Sequence, residues 1–194
     1  TSDNVEITEE VLLQTNDYYE NGKTKLLQGD IEGAIADLTT AIDSNNAPAE
    51  VYILRGEAYM QSANYRNALE DFNTVIEKDP VNAIAYYDRA LLNMRLEDYN
   101  TALNDINNAL VAQTANPNQI LQMRDLYAKR GQLNLWLKNW EGAIADYTNS
   151  LARPDGVVSP SVYAERAEAY TAIGNYNDAI NDYSSAIRVI SEQI

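Results

Sequence analysis

Apolar residues recur every three or four positions along most of this chain, the spacing that places them on one face of an α-helix. Ile35, Leu38 and Ile42 form one such face. Short segments rich in Gly, Pro, Asn and Asp interrupt the pattern and mark helix ends. We therefore expect ten short helices. Nine of them can be given bounds: residues 11–27, 31–43, 49–61, 65–78, 83–96, 99–112, 117–138, 161–173 and 176–194.

One five-residue segment occurs twice, as Gly33–Asp37 and again as Gly142–Asp146, and looser copies lie between and after these two. The alanines that align the five copies stand at positions 34, 68, 102, 143 and 179, so the steps are 34, 34, 41 and 36 residues. Repeats of this length are typical of helical arrays, in which each unit buries its apolar faces against its neighbours.

The longest step contains the segment 116–119, Asn-Pro-Asn-Gln. Asn and Pro suit the N-cap and the first position of a helix, and Gln at 119 would close a capping box. The segment therefore predicts that the first helix of the fourth unit begins about two turns early and extends to residue 138.

Other positions repeat in the same register. The first helix of each unit has a tyrosine and, four residues later, a small residue. The tyrosines are Tyr18, Tyr52, Tyr86, Tyr127 and Tyr163, and the small residues are Gly22, Gly56, Ala90, Gly131 and Ala167. This layout resembles the tetratricopeptide repeat, of a bacterial or organellar type, over residues 15–193. The resemblance implies an all-α fold, a right-handed superhelical solenoid of five helix pairs.

The same alignment predicts the domain organisation. An N-terminal extension over residues 1–14 leads into the first helix, and five repeats follow. Their expected bounds are 15–48, 49–82, 83–116, 117–157 with the extended first helix, and 158–194.

Two charged positions also repeat. The second helices carry Asp37, Asp71, Asp105, Asp146 and Asp182, and four of the first helices carry Arg55, Arg89, Arg130 and Arg166. Five acids and four bases fit a rule in which each Asp pairs with the Arg of the next unit. The expected pairs are Asp37–Arg55, Asp71–Arg89, Asp105–Arg130 and Asp146–Arg166, which leaves Asp182 over. A row of ligand-binding charges is the alternative, but an array that repeats in every unit favours a structural role.

Composition excludes several classes of function. The 194 residues contain no Cys and no His, which removes disulfides, thiolate or imidazole metal sites, and Cys or His catalytic pairs. A net charge of −15 without a basic stripe disfavours nucleic-acid binding. No apolar run is long enough to span a membrane. We therefore expect no enzyme, no cofactor and no metal, and a soluble protein, with the cytoplasm favoured over an extracytoplasmic compartment.

The resemblance implies that a partner binds along the groove lined by the first helices. The slots of that groove give the candidate site, and the middle ones are apolar and rich in methionine, which suits a peptide or an amphipathic helix. The site residues are Tyr19, Lys23, Ile53, Glu57, Met60, Tyr87, Leu91, Met94, Arg95, Gln132 and Trp136. We expect a non-enzymatic scaffold or adaptor whose protein or peptide partner is apolar or basic.

Two alternatives remain open. Ile180, Tyr183, Ile187 and Ile190 give the last helix an apolar face with no capping helix after it. The chain could therefore be a structural module that associates with itself or with another subunit through this C-terminal edge. It could also be a substrate-holding domain excised from a larger protein.

Overall fold

The computed structural model describes residues 9–44, 47–115, 121–153 and 159–192, with side chains of the first helix from residue 16 onward. These residues form ten α-helices and contain no strand, which confirms the all-α fold of five helix pairs. The helices are α1 (Glu9–Gln28), α2 (Ile31–Asp43), α3 (Ala49–Gln61), α4 (Tyr65–Lys78), α5 (Ala83–Arg95), α6 (Tyr99–Ala115), α7 (Met123–Trp136), α8 (Trp140–Leu151), α9 (Pro160–Ala172) and α10 (Tyr176–Ser191).

The chain forms two compact units, Thr1–Pro80 with α1 to α4 and Val81–Ile194 with α5 to α10. Within each unit a helix packs mainly on the helices next to it in sequence, most extensively on the other member of its pair. First helices of successive pairs also touch, α1 with α3 and α7 with α9. This nearest-neighbour packing is the behaviour expected of a repeat array.

All five pairs share one turn. The residue before the N-cap of the second helix has a left-handed backbone in each: Gly29, Ala63, Glu97, Lys138 and Gly174, with φ between 58° and 80°. The next amide donates to a carbonyl five residues back, as Asn64 N does to Tyr59 O at 2.8 Å, which is the Schellman motif. Three of the five positions are not glycine, so the shared geometry was not visible in the sequence.

The small-residue position lets the two helices of a pair approach closely. A Cβ built on Gly56 would lie 2.6 Å from Phe72 Cε1, and one on Gly131 would lie 2.8 Å from Tyr147 Cε1. Both aromatic rings belong to fully buried side chains. At these two positions glycine leaves the space that the ring on the second helix of the same pair occupies.

One helix prediction is wrong. The fourth pair does not have the extended first helix, because α7 has 14 residues and begins at Met123, and residues 121 and 122 are not helical. The additional length belongs instead to α6, which has 17 residues and extends to Ala115. The capping segment predicted at 116–119 lies outside the described residues. The predicted repeat bounds stay predictions.

Candidate partner-binding surfaces

Four arginines of the first helices each form a two-pronged ion pair with an aspartate 16 residues later. The pairs are Arg55–Asp71, Arg89–Asp105, Arg130–Asp146 and Arg166–Asp182, with nitrogen–oxygen distances of 2.6–3.0 Å. In the first pair of helices, Lys25 Nζ lies 2.7 Å from Asp37 Oδ2. The expected pairing with the next unit is therefore wrong. Each aspartate pairs within its own helix pair, because the close approach at the small residue turns the carboxylate toward its own first helix.

The arginines also join one helix pair to the preceding pair. The third guanidinium nitrogen donates to the residue two positions after the aspartate of that earlier pair. The observed bonds are Arg55 Nη1 to Thr39 Oγ1 at 3.1 Å, Arg130 Nη1 to Asn107 Oδ1 at 3.0 Å and Arg166 Nη1 to Thr148 Oγ1 at 2.9 Å. One planar side chain thus links three helices, because the guanidinium group holds its N–H donors in a fixed geometry that points in different directions.

The electrostatics of these pairs indicate a structural role. Burial raises the pKa of Asp71, although Arg55 acts in the opposite direction. The hydrogen bond to Asp146 raises the pKa of Arg130, and the bond to Asp182 likewise raises the pKa of Arg166. Each aspartate accepts two or more hydrogen bonds from its arginine, and the bonds that these charged groups make are to other side chains of the array, so the row of charges serves the packing of the helices.

In the first unit, the predicted site residues differ in exposure. Tyr19 is half-buried and Lys23 is exposed, with Lys23 Nζ 6.0 Å from the centroid of the Tyr19 ring. Glu57 and Met60 are half-buried on α3. Ile53 is only 8% exposed, so it packs inside the structure and is not available for a partner. Burial raises the pKa of the Glu57 carboxyl.

In the second unit, α5 presents Tyr87, Leu91 and Met94 with helical spacing, all half-buried, and Arg95 is exposed at the end of that helix. Burial and the nearby carboxylates of Asp125 and then Asp88 raise the pKa of Tyr87 to about 12. The effect of Asp125, a residue of α7, shows that Tyr87 lies toward the neighbouring first helix. Both Tyr87 and Met94 pack against the core of this unit, which fixes their positions.

On α7 the structure holds two further predicted residues in place. The Gln132 amide lies between Lys129 Nζ at 3.4 Å and Glu165 Oε1 at 3.5 Å. Trp136 is 43% exposed, and its ring centroid lies 4.9 Å from that of Tyr99 with the planes tilted by 49°. We name Tyr87, Leu91, Met94, Gln132 and Trp136 the α5–α7 face.

Tyr99 and Glu165 support this face and were missed by the sequence analysis. Tyr99 stands three residues before the alanine of its repeat, where other units also have an aromatic residue: Tyr65, Trp140 and Tyr176. That recurrence was the available signal. For Glu165 there was none, because the equivalent positions in the other repeats hold Glu20, Leu54, Asp88 and Lys129.

Comparison with known proteins settles the family. Two family models, both described as tetratricopeptide repeat, match residues 53–119 and residues 160–192, which together make up about half of the chain. The chain belongs to the tetratricopeptide repeat family. Tetratricopeptide repeats are typically non-catalytic modules for protein–protein interaction, and this protein is a scaffold of that general kind.

One sequence relative and two solved structures illustrate what this chain is similar to. Human DnaJ homolog subfamily C member 7 is 34% identical over 68 residues, which is 35% of this tetratricopeptide repeat chain but only 13% of that protein. A crystal structure of MamA superposes with a TM-score of 0.76 at 21% identity, covering 89% of this chain and 95% of that one. MamA from Desulfovibrio magneticus RS-1, residue 41 to its end, gives 0.78 at 15% identity, with 93% and 97% covered.

Two properties of the described residues concern other kinds of site. No group of three or more acidic side chains among them is arranged to hold a metal ion. None of the described helices has the length and apolar character that crossing a membrane requires.

Proposed function

We propose that this tetratricopeptide repeat protein holds a peptide or an amphipathic helix on the α5–α7 face of its second unit. The observation that supports the proposal is Trp136, which keeps 43% of its surface exposed although Tyr99 fixes its ring. A rigid, partly exposed aromatic side chain costs little conformational entropy when it binds and is typical of interaction hot spots. Leu91 and Met94 supply adaptable apolar surface.

The charges near this face indicate the chemistry of the partner. Asp125 and Glu168 are exposed on α7 and α9, and Arg95 is exposed at the end of α5. The chain as a whole carries −15. A partner with apolar anchors and flanking lysines or arginines would therefore be attracted at long range and seated by burial of its apolar side chains.

Tyr19, Lys23, Glu57 and Met60 are proposed as the corresponding face of the first unit. Ile53 is not part of it, because its side chain is buried. This face is more polar than the α5–α7 face, and we expect it to contribute less to the affinity.

The α5–α7 face can be tested by fluorescence, because the protein has only two tryptophans. In a Trp140→Phe background, emission comes from Trp136 alone. The probes are two 16-residue amphipathic helices with the same Leu and Met face, one with lysines and the other with glutamates on its flanks. We expect saturable quenching or a blue shift with the lysine peptide, and weaker binding of the glutamate peptide that improves with added salt.

The matched variants are Leu91→Ala on the face and Leu27→Ala, an exposed leucine at the position of Trp136 in the first repeat. Loss of an apolar anchor should weaken the lysine peptide at least about 10-fold, whereas Leu27→Ala should leave the affinity unchanged. Trp136→Ala, followed by anisotropy of a labelled peptide, should abolish binding. If Trp136→Ala and Leu91→Ala bind the peptide as tightly as the parent protein, the α5–α7 face is not the binding surface.

A further inference from the structure

The carboxylate of Glu165 lies where α7, α8 and α9 meet, and the two neighbouring helices hold it unequally. The hydroxyl of the fully buried Tyr147, on α8, donates to Glu165 Oε2 at 2.7 Å. The amide of Gln132, on α7, donates to Glu165 Oε1 at the longer distance of 3.5 Å. The Glu165 side chain is half-buried. One carboxylate oxygen is therefore fixed by a short bond, whereas the other keeps most of its capacity to accept hydrogen bonds.

Glu165 lacks the counter-charge that the repeated aspartates of the array have. Each of those aspartates faces an arginine or a lysine of its own helix pair. Within the part of the chain that the structure describes, no lysine or arginine nitrogen lies at ion-pair distance from Glu165. Its hydrogen bonds lead to a cation only through the amide of Gln132, whose Oε1 lies 3.4 Å from Lys129 Nζ.

The contact with Tyr147 requires an acceptor at position 165 but not a charge. A buried hydroxyl without a partner is unfavourable, and the carboxylate of Glu165 supplies that partner. A glutamine carbonyl would supply it as well. Burial, and then the bond to Glu165, raise the pKa of Tyr147, so the phenol keeps the proton that it donates. The negative charge of Glu165 is therefore not needed for the packing of these helices, and it is available to a cation.

Glu165 borders the α5–α7 face. Its Oε1 contacts Gln132, a member of that face, and Gln132 and Trp136 are neighbours on the surface of α7 because they stand four residues apart. Both contacts of Glu165 are with α7 and α8, which precede α9, so its position does not depend on any segment that follows α10. A peptide seated on the α5–α7 face would therefore pass Gln132 and reach this carboxylate.

We infer that Glu165 binds an arginine of the partner, on the side of the α5–α7 face that borders α9. The inference rests on the proposed function, because it assumes a peptide or a helix on that face. A guanidinium suits the site better than an ammonium, since its planar fork matches a fixed carboxylate and it is more weakly hydrated. Tyr147 acts as a positioning residue, because its bond to Oε2 determines the direction in which Oε1 accepts.

The probes are variants of the 16-residue amphipathic helix with the Leu and Met face, now with glutamines on both flanks. A set of labelled peptides places one arginine at each flank position in turn, and their anisotropy is measured with the whole protein. We expect one position to give at least about 10-fold tighter binding than the all-glutamine peptide. Citrulline at that position, which keeps the shape of arginine without its charge, should lose this gain.

Variants of the protein identify the carboxylate that is responsible. Glu165→Gln keeps an acceptor for Tyr147 and removes the charge, so it should abolish the gain from arginine and leave the affinity of the all-glutamine peptide unchanged. Tyr147→Phe should reduce the gain, because the carboxylate loses the bond that orients it. Glu168→Gln is the matched control, since Glu168 is exposed about one turn further along α9, and most of the gain should persist.

The outcomes separate this inference from the proposed function. No gain at any flank position, or a gain that persists in Glu165→Gln, would overturn the role of Glu165. The proposed function would still be supported if the all-glutamine peptide binds the parent protein and Leu91→Ala weakens it. If that peptide does not bind, or if Leu91→Ala leaves its affinity unchanged, the α5–α7 face is not the binding surface and the inference fails with it.

Discussion

Replacing Arg55 by leucine removes the partner of a carboxylate that is almost entirely buried. The Asp71 side chain is 5% exposed and receives Arg55 Nε at 2.9 Å and Nη2 at 2.7 Å. In the Arg55→Leu variant the carboxylate keeps its burial and loses both donors. We expect a large loss of stability, since an uncompensated buried charge is among the most destabilising changes known.

The magnitude follows from the burial of the pair. Breaking a fully buried ion pair costs ~3–5 kcal/mol. The Arg55 side chain is 16% exposed, so in the variant water can reach part of the space next to the Asp71 carboxylate. We therefore expect the free energy of unfolding to fall by about 2–3 kcal/mol. For a chain of this length that corresponds to a fall in Tm of roughly 5–10 °C. Arg66→Leu is the matched control, because Arg66 is 88% exposed and its ion pair is with Glu70 on the same helix surface, and it should cost less than about 0.5 kcal/mol.

A double-mutant cycle identifies the partner of Arg55. Urea unfolding, followed by circular dichroism, is measured for Arg55→Leu, Asp71→Asn, Asp37→Asn and the two double variants. The coupling energy of Arg55 with Asp71 should be about 1–3 kcal/mol, and that of Arg55 with Asp37 should be below about 0.5 kcal/mol. Equal melting temperatures for Arg55→Leu and Arg66→Leu, or a larger coupling with Asp37, would refute the observed pairing and its structural role.

Three further changes test other features. Gly131→Ala places a methyl group against the buried ring of Tyr147 and should lower the free energy of unfolding by about 1–3 kcal/mol, measured by urea titration; an unchanged midpoint would show that the ring can move. Glu97→Gly should stabilise the protein by up to about 1 kcal/mol because Glu97 has φ 62°, whereas Glu77→Gly, within α4, should destabilise it by a similar amount. Burial raises the pKa of Glu57, so the stability that its protonated form contributes is complete below the unfolded pKa and is lost as pH rises through the folded pKa. Glu57→Gln should accordingly match the parent protein below about pH 4 and be more stable at pH 7, in urea midpoints measured across that range; a gain that is independent of pH would contradict this assignment.

Most of the fold could be predicted from the sequence, because the same apolar spacing and the same kinds of helix-end residue recur in five repeats. The bounds of α2, α3 and α4 agree with the predicted helices residue for residue. Their ends are determined by local signals, such as the Asp30 side chain that accepts from Gly33 N. Local propensity and the apolar face act together in these helices, which makes the prediction robust.

Features that depend on distances across helices could not be predicted. The sequence shows which charges repeat, but an alignment of the repeats does not distinguish Arg55 from Arg89 as the partner of Asp71. In the structure Asp71 faces Arg55. Ile53 was placed in a groove because its slot is outward in the family, yet the neighbouring side chains bury it to 8% exposure. The α5–α7 face stays a proposal for the same reason, since the mutual arrangement of its side chains depends on packing.

The described helices pack mainly against their neighbours in sequence, and this has a consequence for folding. Contacts between residues close in the chain require little loop closure before they form, so the ordering of one hairpin does not wait for distant parts of the polypeptide. Each Schellman turn can therefore act as a local nucleus. The arginine of a hairpin can form its bond to the preceding hairpin only after that preceding hairpin has folded.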